Sequence, residues 1–177
     1  MKIAIVDIET TGFLKEGGLI VEIGIAKLDL STGNAQKLYH ALVREKSLSE
    51  QHKDSWIFKN SDLSFKDVMR ADSLDTVALQ EIFDKYPATA YNKSFDFDFL
   101  KSRGLTIKEL PCPMILATSL CKLPGHYGYK WPSVQEAWDI LIKEPYTEAH
   151  RGLDDAIHEA KIVFELFKRG VFIAKDK

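Results

Sequence analysis

The sequence predicts an α/β fold in which helices cover a sheet, and three observations lead there. An apolar run of strand length opens the chain, and two more strand patterns joined by a turn follow it. Beyond Arg44 the apolar spacing changes to that of amphipathic helices, with one short strand among them. Lys2 to Asp7 (KIAIVD) is almost continuously apolar, as suits a strand buried on both faces. A loop holding Thr10-Thr11-Gly12 and Gly17-Gly18 separates it from a second strand, Leu19 to Leu30. Ser31-Thr32-Gly33-Asn34 reads as a hairpin turn into a third strand, Gln36 to Val43. Helical spacing then marks Ser64 to Ala71, Asp75 to Lys85, Ser94 to Arg103, Ile115 to Leu123 and Ser133 to Ile142, with a short strand at Ala88 to Tyr91. Ser133 and Glu136 have the spacing of a capping box, in which hydroxyl and carboxylate each satisfy an orphan backbone donor. The last helix runs from about Leu153 to Lys168 and stops at Gly170.

At 177 residues the chain suits one domain, taken as 1–177. Lys and Arg number 24 against 26 Asp and Glu, a net charge of −2. That balance excludes the dominant basic footprint of a long-duplex binder, so any nucleic-acid contact is local. The longest unbroken apolar runs, such as Ile3 to Val6, have four residues, too few to span a bilayer. Met1-Lys2 leads into a short apolar stretch that meets Asp7 at once, so no signal peptide is expected. Cys112 and Cys121 support neither a disulfide framework nor a metal knuckle, and read as small buried hydrophobes in a reducing compartment. A soluble cytoplasmic domain with no membrane partner is expected.

Three segments carry carboxylates that do not suit a surface. Asp7 and Glu9 sit two apart at a strand end, on one face, with Cβ atoms about 7 Å apart. Such a pair repels unless a cation lies between them, or unless both are solvated. Thr10, Thr11 and Gly12 follow, offering backbone amides and a glycine that permits close approach to a ligand. In the helix beginning near Ser94, Asp96 shares a face with Phe99, Leu100 and Arg103, while Asp98 falls beside Lys101 and Ser102. A withdrawn Asp96 needs a partner, either Arg103 or a metal ion. In the last helix Leu153, Ala156, Ile157, Ala160, Phe164 and Phe167 form the main apolar stripe. Asp154 lies in a polar row with His158, Lys161, Glu165 and Lys168, whereas Asp155 lies in a narrower apolar row with Ile162 and Leu166. His150 precedes that helix in a loop from which it can turn toward Asp155. His40, His52, His126 and His158 have no comparable context.

Together the segments resemble the DnaQ-like (DEDDh) exonuclease superfamily, which includes stand-alone exonuclease domains and the proofreading subunit of bacterial DNA polymerase III. Asp7-Ile8-Glu9-Thr10-Thr11-Gly12 is similar to its D-x-E-T-T-G motif, and Asn92-Lys93-Ser94-Phe95-Asp96 to its H-N-x-x-F-D motif. His150-Arg151-Gly152-Leu153-Asp154-Asp155 is similar to its H-x-x-x-x-D motif, and the order holds from Lys2 to Phe167. Tyr91 stands where the second motif commonly has His, and Gly152 where Ala is frequent. The resemblance implies an RNase H-like fold: a mixed five-stranded sheet, its first three strands antiparallel, with helices on both faces. It also implies a 3′-to-5′ exonuclease acting on single-stranded DNA or RNA 3′ ends.

The resemblance further implies two divalent cations, Mg²⁺ or Mn²⁺, held by Asp7, Glu9, Asp96 and Asp155, with His150 as general base. Hard oxygen donors suit such ions, and an imidazole titrating near neutrality can take a proton from the attacking water. Thr10, Thr11 and Gly12 would meet the terminal sugar, with Phe13, Asn92 and Phe95 beside the terminal nucleotides. Lys93, Lys101, Arg103 and Arg151 are near enough in sequence to the acidic motifs to meet phosphates. The loop Gly125 to Pro132 interleaves aromatics with Lys130 and has two readings, guidance of a single strand or ordinary loop packing. An exoribonuclease trimming RNA ends is the alternative enzyme, and an inactive nucleic-acid-binding module the alternative class. A dehalogenase-type phosphatase starting at Asp7 wants a second Asp two residues on, where Glu9 stands. With about ten residues after the last helix, no long tail is expected for docking a polymerase; such a partner and homodimerisation are left open.

Overall fold

Strand β1, Lys2–Thr10, runs through the middle of the sheet in a computed structural model that describes residues 1–174. The end of the expected 1–177 domain therefore lies outside the described residues. Side chains of β1 alternate between two cores, which is why its sequence is apolar without interruption. Ile3 and Ile5 face one core with Leu28, Ala156, Ala160 and Val163. Ala4, Val6 and Ile8 face the other with Leu79, Phe83, Phe97, Phe99 and Leu100. β1 pairs antiparallel with β2, Ile20–Asp29, which pairs antiparallel with β3, Ala35–Leu42. The register sets Asp7 opposite Gly24 and Glu9 opposite Glu22. β4, Ala88–Thr89, adds to the other edge of β1 in parallel, giving the order β3-β2-β1-β4.

Among the described residues this sheet has four strands, not the five expected. Where a fifth would extend, a single bridge joins Ala88 to Glu109, with backbone bonds of 2.8 Å to Lys108 and Leu110. Pro111 and Pro113 follow, and a proline has no N–H to continue a ladder.

Helices cover both faces. After two short helices, α1 (Trp56–Asn60) and α2 (Phe65–Val68), α3 (Thr76–Lys85) and α4 (Lys93–Ser102) pack on one side. On the other lie α5 (Pro113–Cys121), α6 (Val134–Leu141) and α7 (Gly152–Lys168). A two-stranded hairpin, β5 (Pro124–Gly125) and β6 (Gly128–Tyr129), projects between α5 and α6. The Ser133–Glu136 capping box is formed in both directions. No helix among the described residues is long and apolar enough to cross a membrane.

Helix α7 corrects the apolar stripe read from the sequence. Its buried positions are Gly152, Asp155, Ala156, Glu159, Ala160, Ile162, Val163 and Leu166, while Phe164 and Phe167 lie at the rim. Close approach to the sheet demands small residues at the centre of the contact and sends large rings outward. A Cβ on Gly24 would stand 2.1 Å from the carbonyl carbon of Gly152. β2 and the first turn of α7 thus touch backbone to backbone.

Candidate active site

The alternation of β1 sends Asp7 and Glu9 toward the face that α7 covers. Asp7 Oδ2 is buried and has no hydrogen-bond partner. Burial, followed by the charges of Glu159, Glu9, Asp96 and Asp155, pushes the Asp7 carboxyl well above the usual carboxylate range. Glu9 is pushed up to about 9 by burial and then by Asp155, Glu22, Asp96 and Glu148. Asp96 reaches in from the first turn of α4, buried, with Oδ1 accepting from the Ile8 N–H at 3.1 Å. Burial raises it to about 8 against the pull of that backbone donor. Arg103 is not its partner, since that guanidinium pairs with Glu45 at 2.8 Å. Asp98 and Asp154 are exposed, as the face reading has them.

Asp155 is buried at the start of α7. It accepts from the Tyr146 hydroxyl at 2.8 Å, the Arg151 N–H at 2.8 Å and the Ala149 N–H at 3.3 Å. One ligand atom each from Glu9, His150 and Asp155 lie within 4.8 Å of one another. His150 is half-buried, its ring edge-on to Trp56 with centroids 4.8 Å apart and Nδ1 4.0 Å from Glu148. Its backbone is left-handed, with φ 54°, an uncommon state for a non-glycine residue that the surroundings must hold in place.

Glu22 supplies the hold. Fully buried, it accepts from the Arg151 guanidinium at 2.9 Å and from the Gly152 N–H at 3.1 Å, and pairs with His40 at 2.7 Å. Burial alone would raise Glu22, but the bonds from Arg151, His40 and Gly152 bring it below its ordinary value. Arg151 also pairs with Asp62 at 2.7 Å. This clamp fixes the two residues after His150 to β2. The other cations that the sequence offers to phosphate are similarly committed: Lys93 and Lys101 both pair with Glu109. Tyr91, where the resembled motif commonly has His, is buried, its hydroxyl donating to the carbonyls of Pro132 and Ser133 at 3.0 and 3.1 Å. It packs in the core and does not line the site.

The loop after β1 is closed on itself. The Thr10 hydroxyl donates to Gly12 O at 3.0 Å, and the Thr11 hydroxyl accepts from the Leu19 N–H at 3.0 Å. Phe13 is exposed beside Phe95, with centroids 6.3 Å apart and rings nearly perpendicular. Both line a cavity of about 360 Å³ with Leu14, Asn92 and Phe99. Asn92 is exposed and accepts from the Ser94 hydroxyl at 3.3 Å.

Sequence reasoning missed four residues. Glu159 is only 3% exposed, receives the Tyr91 N–H at 3.4 Å, and is driven well above its ordinary value by burial and then by Asp96, Asp155 and Glu148. Its signal was available, four residues past Asp155 on the same helical row. Tyr146, Glu148 and the clamp function of Glu22 had none, because tertiary contact alone brings them in. An unpartnered buried carboxylate oxygen among like charges is the electrostatic demand of a cation, and the donors are the hard oxygens that Mg²⁺ or Mn²⁺ prefers. Among the described residues the group close enough to share an ion is Glu9, His150 and Asp155, and the buried carboxyls of Asp7 and Asp96 add acidic charge beside it.

No protein-family model matches the chain. It is 27% identical over 173 residues to the 3′-5′ exonuclease DinG of Staphylococcus aureus strain USA300, covering 94% of this chain and 18% of that protein. The DinG of Staphylococcus haemolyticus is 28% identical over 175 residues, and the chain again spans 18% of its length. Among solved structures, the nuclease domain of 3′hExo, a DEDDh family member bound to rAMP, superposes with a TM-score of 0.65 at 19% identity. That match covers 99% of this chain and 96% of the other. Cell-death related nuclease 4 gives a TM-score of 0.65 at 13% identity, over 96% of this chain and 64% of that one. The fold is that of the DEDDh 3′-exonuclease nuclease domains. In sequence and fold the chain is similar to the DnaQ-like exonuclease superfamily that its three motifs resemble.

Proposed function

We propose that this chain is a divalent-metal-dependent 3′-to-5′ exonuclease acting on single-stranded nucleic-acid ends. The orphaned buried oxygen of Asp7, set among Glu9, Asp96 and Asp155, carries the reading. Asp7, Glu9, Asp96 and Asp155 would hold two cations, Mg²⁺ or Mn²⁺, which when bound neutralise charge on the attacking and leaving oxygens of a phosphodiester.

The protein's own groups do the rest. His150 has a ring nitrogen within 4.8 Å of a carboxylate oxygen of Glu9 and of Asp155, and from there it would take a proton from the attacking water. Glu148 stands 4.0 Å from Nδ1, and the edge-on Trp56 ring limits rotation of the imidazole. Tyr146 and two backbone amides keep Asp155 aimed. Phe13 and Phe95 give the terminal base an aromatic shelf, and the amides of the Thr10–Gly12 loop meet its sugar. The free thiols Cys112 and Cys121 suit a cytoplasmic, reducing compartment.

RNA is a second substrate reading. One structural neighbour is described as recognising a histone mRNA stem-loop (TM-score 0.64, 16% identity) and another as bound to rAMP. The test is incubation of 3′- and 5′-labelled single-stranded DNA and RNA with Mg²⁺ or Mn²⁺ against EDTA. A ladder shortening from the 3′ end and abolished by EDTA is expected, and the faster polymer identifies the sugar. No cleavage of either polymer by the wild-type chain overturns the proposal.

A further inference from the structure

We propose that the β5–β6 hairpin is a second nucleic-acid contact, on which unpaired bases upstream of the 3′ end stack. The inference rests on the exonuclease reading for its substrate, but it stands on separate residues. The rings of this segment are largely open to solvent: Tyr127 is 96% exposed, Tyr129 56% and Trp131 64%. Three large aromatics held in water, two on the short hairpin and Trp131 just after it, present flat apolar faces to a partner.

The charge of the segment suits a polyanionic partner, with Lys122 free of ion pairs among the described residues and Lys130 shared with Glu136. No acidic residue lies between Glu109 and Glu136, in a chain that carries 26 of them. Within the interval stand Lys122, His126 and Lys130, all exposed. Glu136, at the hairpin's base, is occupied by Lys130 at 2.5 Å and by the Ser133 N–H at 2.9 Å. Lys122 makes no ion pair among the described residues, and His126 sits edge-on to Tyr127 at 4.5 Å. Exposed aromatics interleaved with cations are what a single strand needs, since every base offers a π-face and every phosphate a charge.

Two contacts just after the hairpin tie the chain to the acidic site. The hairpin's exit at Pro132 and Ser133 receives the Tyr91 hydroxyl, five residues before Asp96. Gln135, at the start of α6, donates to Tyr146 O at 3.1 Å and accepts from the Glu148 N–H at 3.3 Å, within the loop that orients Asp155 and His150. These bonds couple the segment that leaves the hairpin to the loop that orients Asp155 and His150.

Binding and cleavage separate the two claims. Affinity for single-stranded dT20 and rU20 is measured in EDTA by fluorescence anisotropy, for wild type, Tyr127→Ala, Trp131→Ala and the double variant. Each ring removed should weaken binding about tenfold, and turnover of a labelled dinucleotide, which has no upstream bases to stack, should stay at the wild-type rate. Because the rings are exposed, melting temperatures should not change. Unaltered affinity in the double variant overturns the proposal, as does loss of self-association in size-exclusion chromatography with unchanged affinity, which would make the hairpin an interface between copies. A wild type that binds through these rings but cleaves nothing would leave the hairpin assignment standing and sink the exonuclease reading.

Discussion

Raising the pH in the absence of divalent cations should destabilise this protein over a range where most domains are at their firmest. Glu9 moves from an ordinary value of 4.5 to about 9, and Asp96 from 3.8 to about 8, while Asp7 and Glu159 move in the same direction. In each case the folded pKa lies above the unfolded one. The native state therefore binds more protons than the unfolded chain between about pH 4 and pH 9, and stability falls as pH rises through that window. One pKa unit is worth about 1.4 kcal/mol, so holding Glu9 folded at pH 7 costs about 3 kcal/mol relative to pH 4. Glu9 and Asp96 belong to one cluster, so their costs are not summed. For a domain of this size about 3 kcal/mol corresponds to a loss of roughly 6–12 °C in Tm. Glu22, whose pKa is lowered, contributes stability above about pH 4.5 and loses it only on acidification, so it leaves the window above pH 5 clear. The assay is a thermal melt from pH 5 to pH 9 in EDTA and in Mn²⁺. Tm should drop with pH in EDTA, the Mn²⁺ curve should stay flatter, and Asp7→Asn should raise the EDTA curve at high pH. An EDTA curve that is level or rising from pH 5 to pH 8 refutes the electrostatic account of the cluster.

Three more outcomes are expected. His150→Ala should lower exonuclease turnover by about 10²-fold or more while retaining the Tm gain from Mn²⁺; full neutral-pH activity would remove His150 from proton transfer. Glu22→Gln should cost about 3 kcal/mol in urea denaturation, because the Arg151 guanidinium and the Gly152 amide lose their charged acceptor. Its turnover should fall as well, through the loosened left-handed turn at His150. Gly24→Ala should cost about 3 kcal/mol or more, since the new Cβ would lie 2.1 Å from the Gly152 carbonyl carbon and drive α7 off the sheet. Near-wild-type stability of that variant, read by the same denaturation, would contradict the close backbone crossing.

Much of the cluster was legible in the sequence because local periodicity carried it. Asp96 rather than Asp98, and Asp155 rather than Asp154, follow from which neighbour three or four residues away is apolar, and both choices match the burial observed. The same periodicity misplaced the stripe of α7. It weighs residues by hydrophobicity alone, whereas the sheet selects Gly152, Ala156 and Ala160 for smallness. Glu159 went unnoticed for a related reason, since a carboxylate in an apolar row reads as an interruption until its neighbours are known.

What the sequence determined unaided is therefore local: strand and helix periods, the capping box at Ser133, and the inward turn of Asp96 and Asp155. Only the tertiary structure decided the pairings. It gave Arg103 to Glu45, 58 positions away, and Arg151 to Glu22, 129 positions away, and it left Asp7 Oδ2 with no partner at all. The physical reason is range: backbone periodicity repeats every few residues, but a charge is satisfied by whatever chain packing brings within about 4 Å.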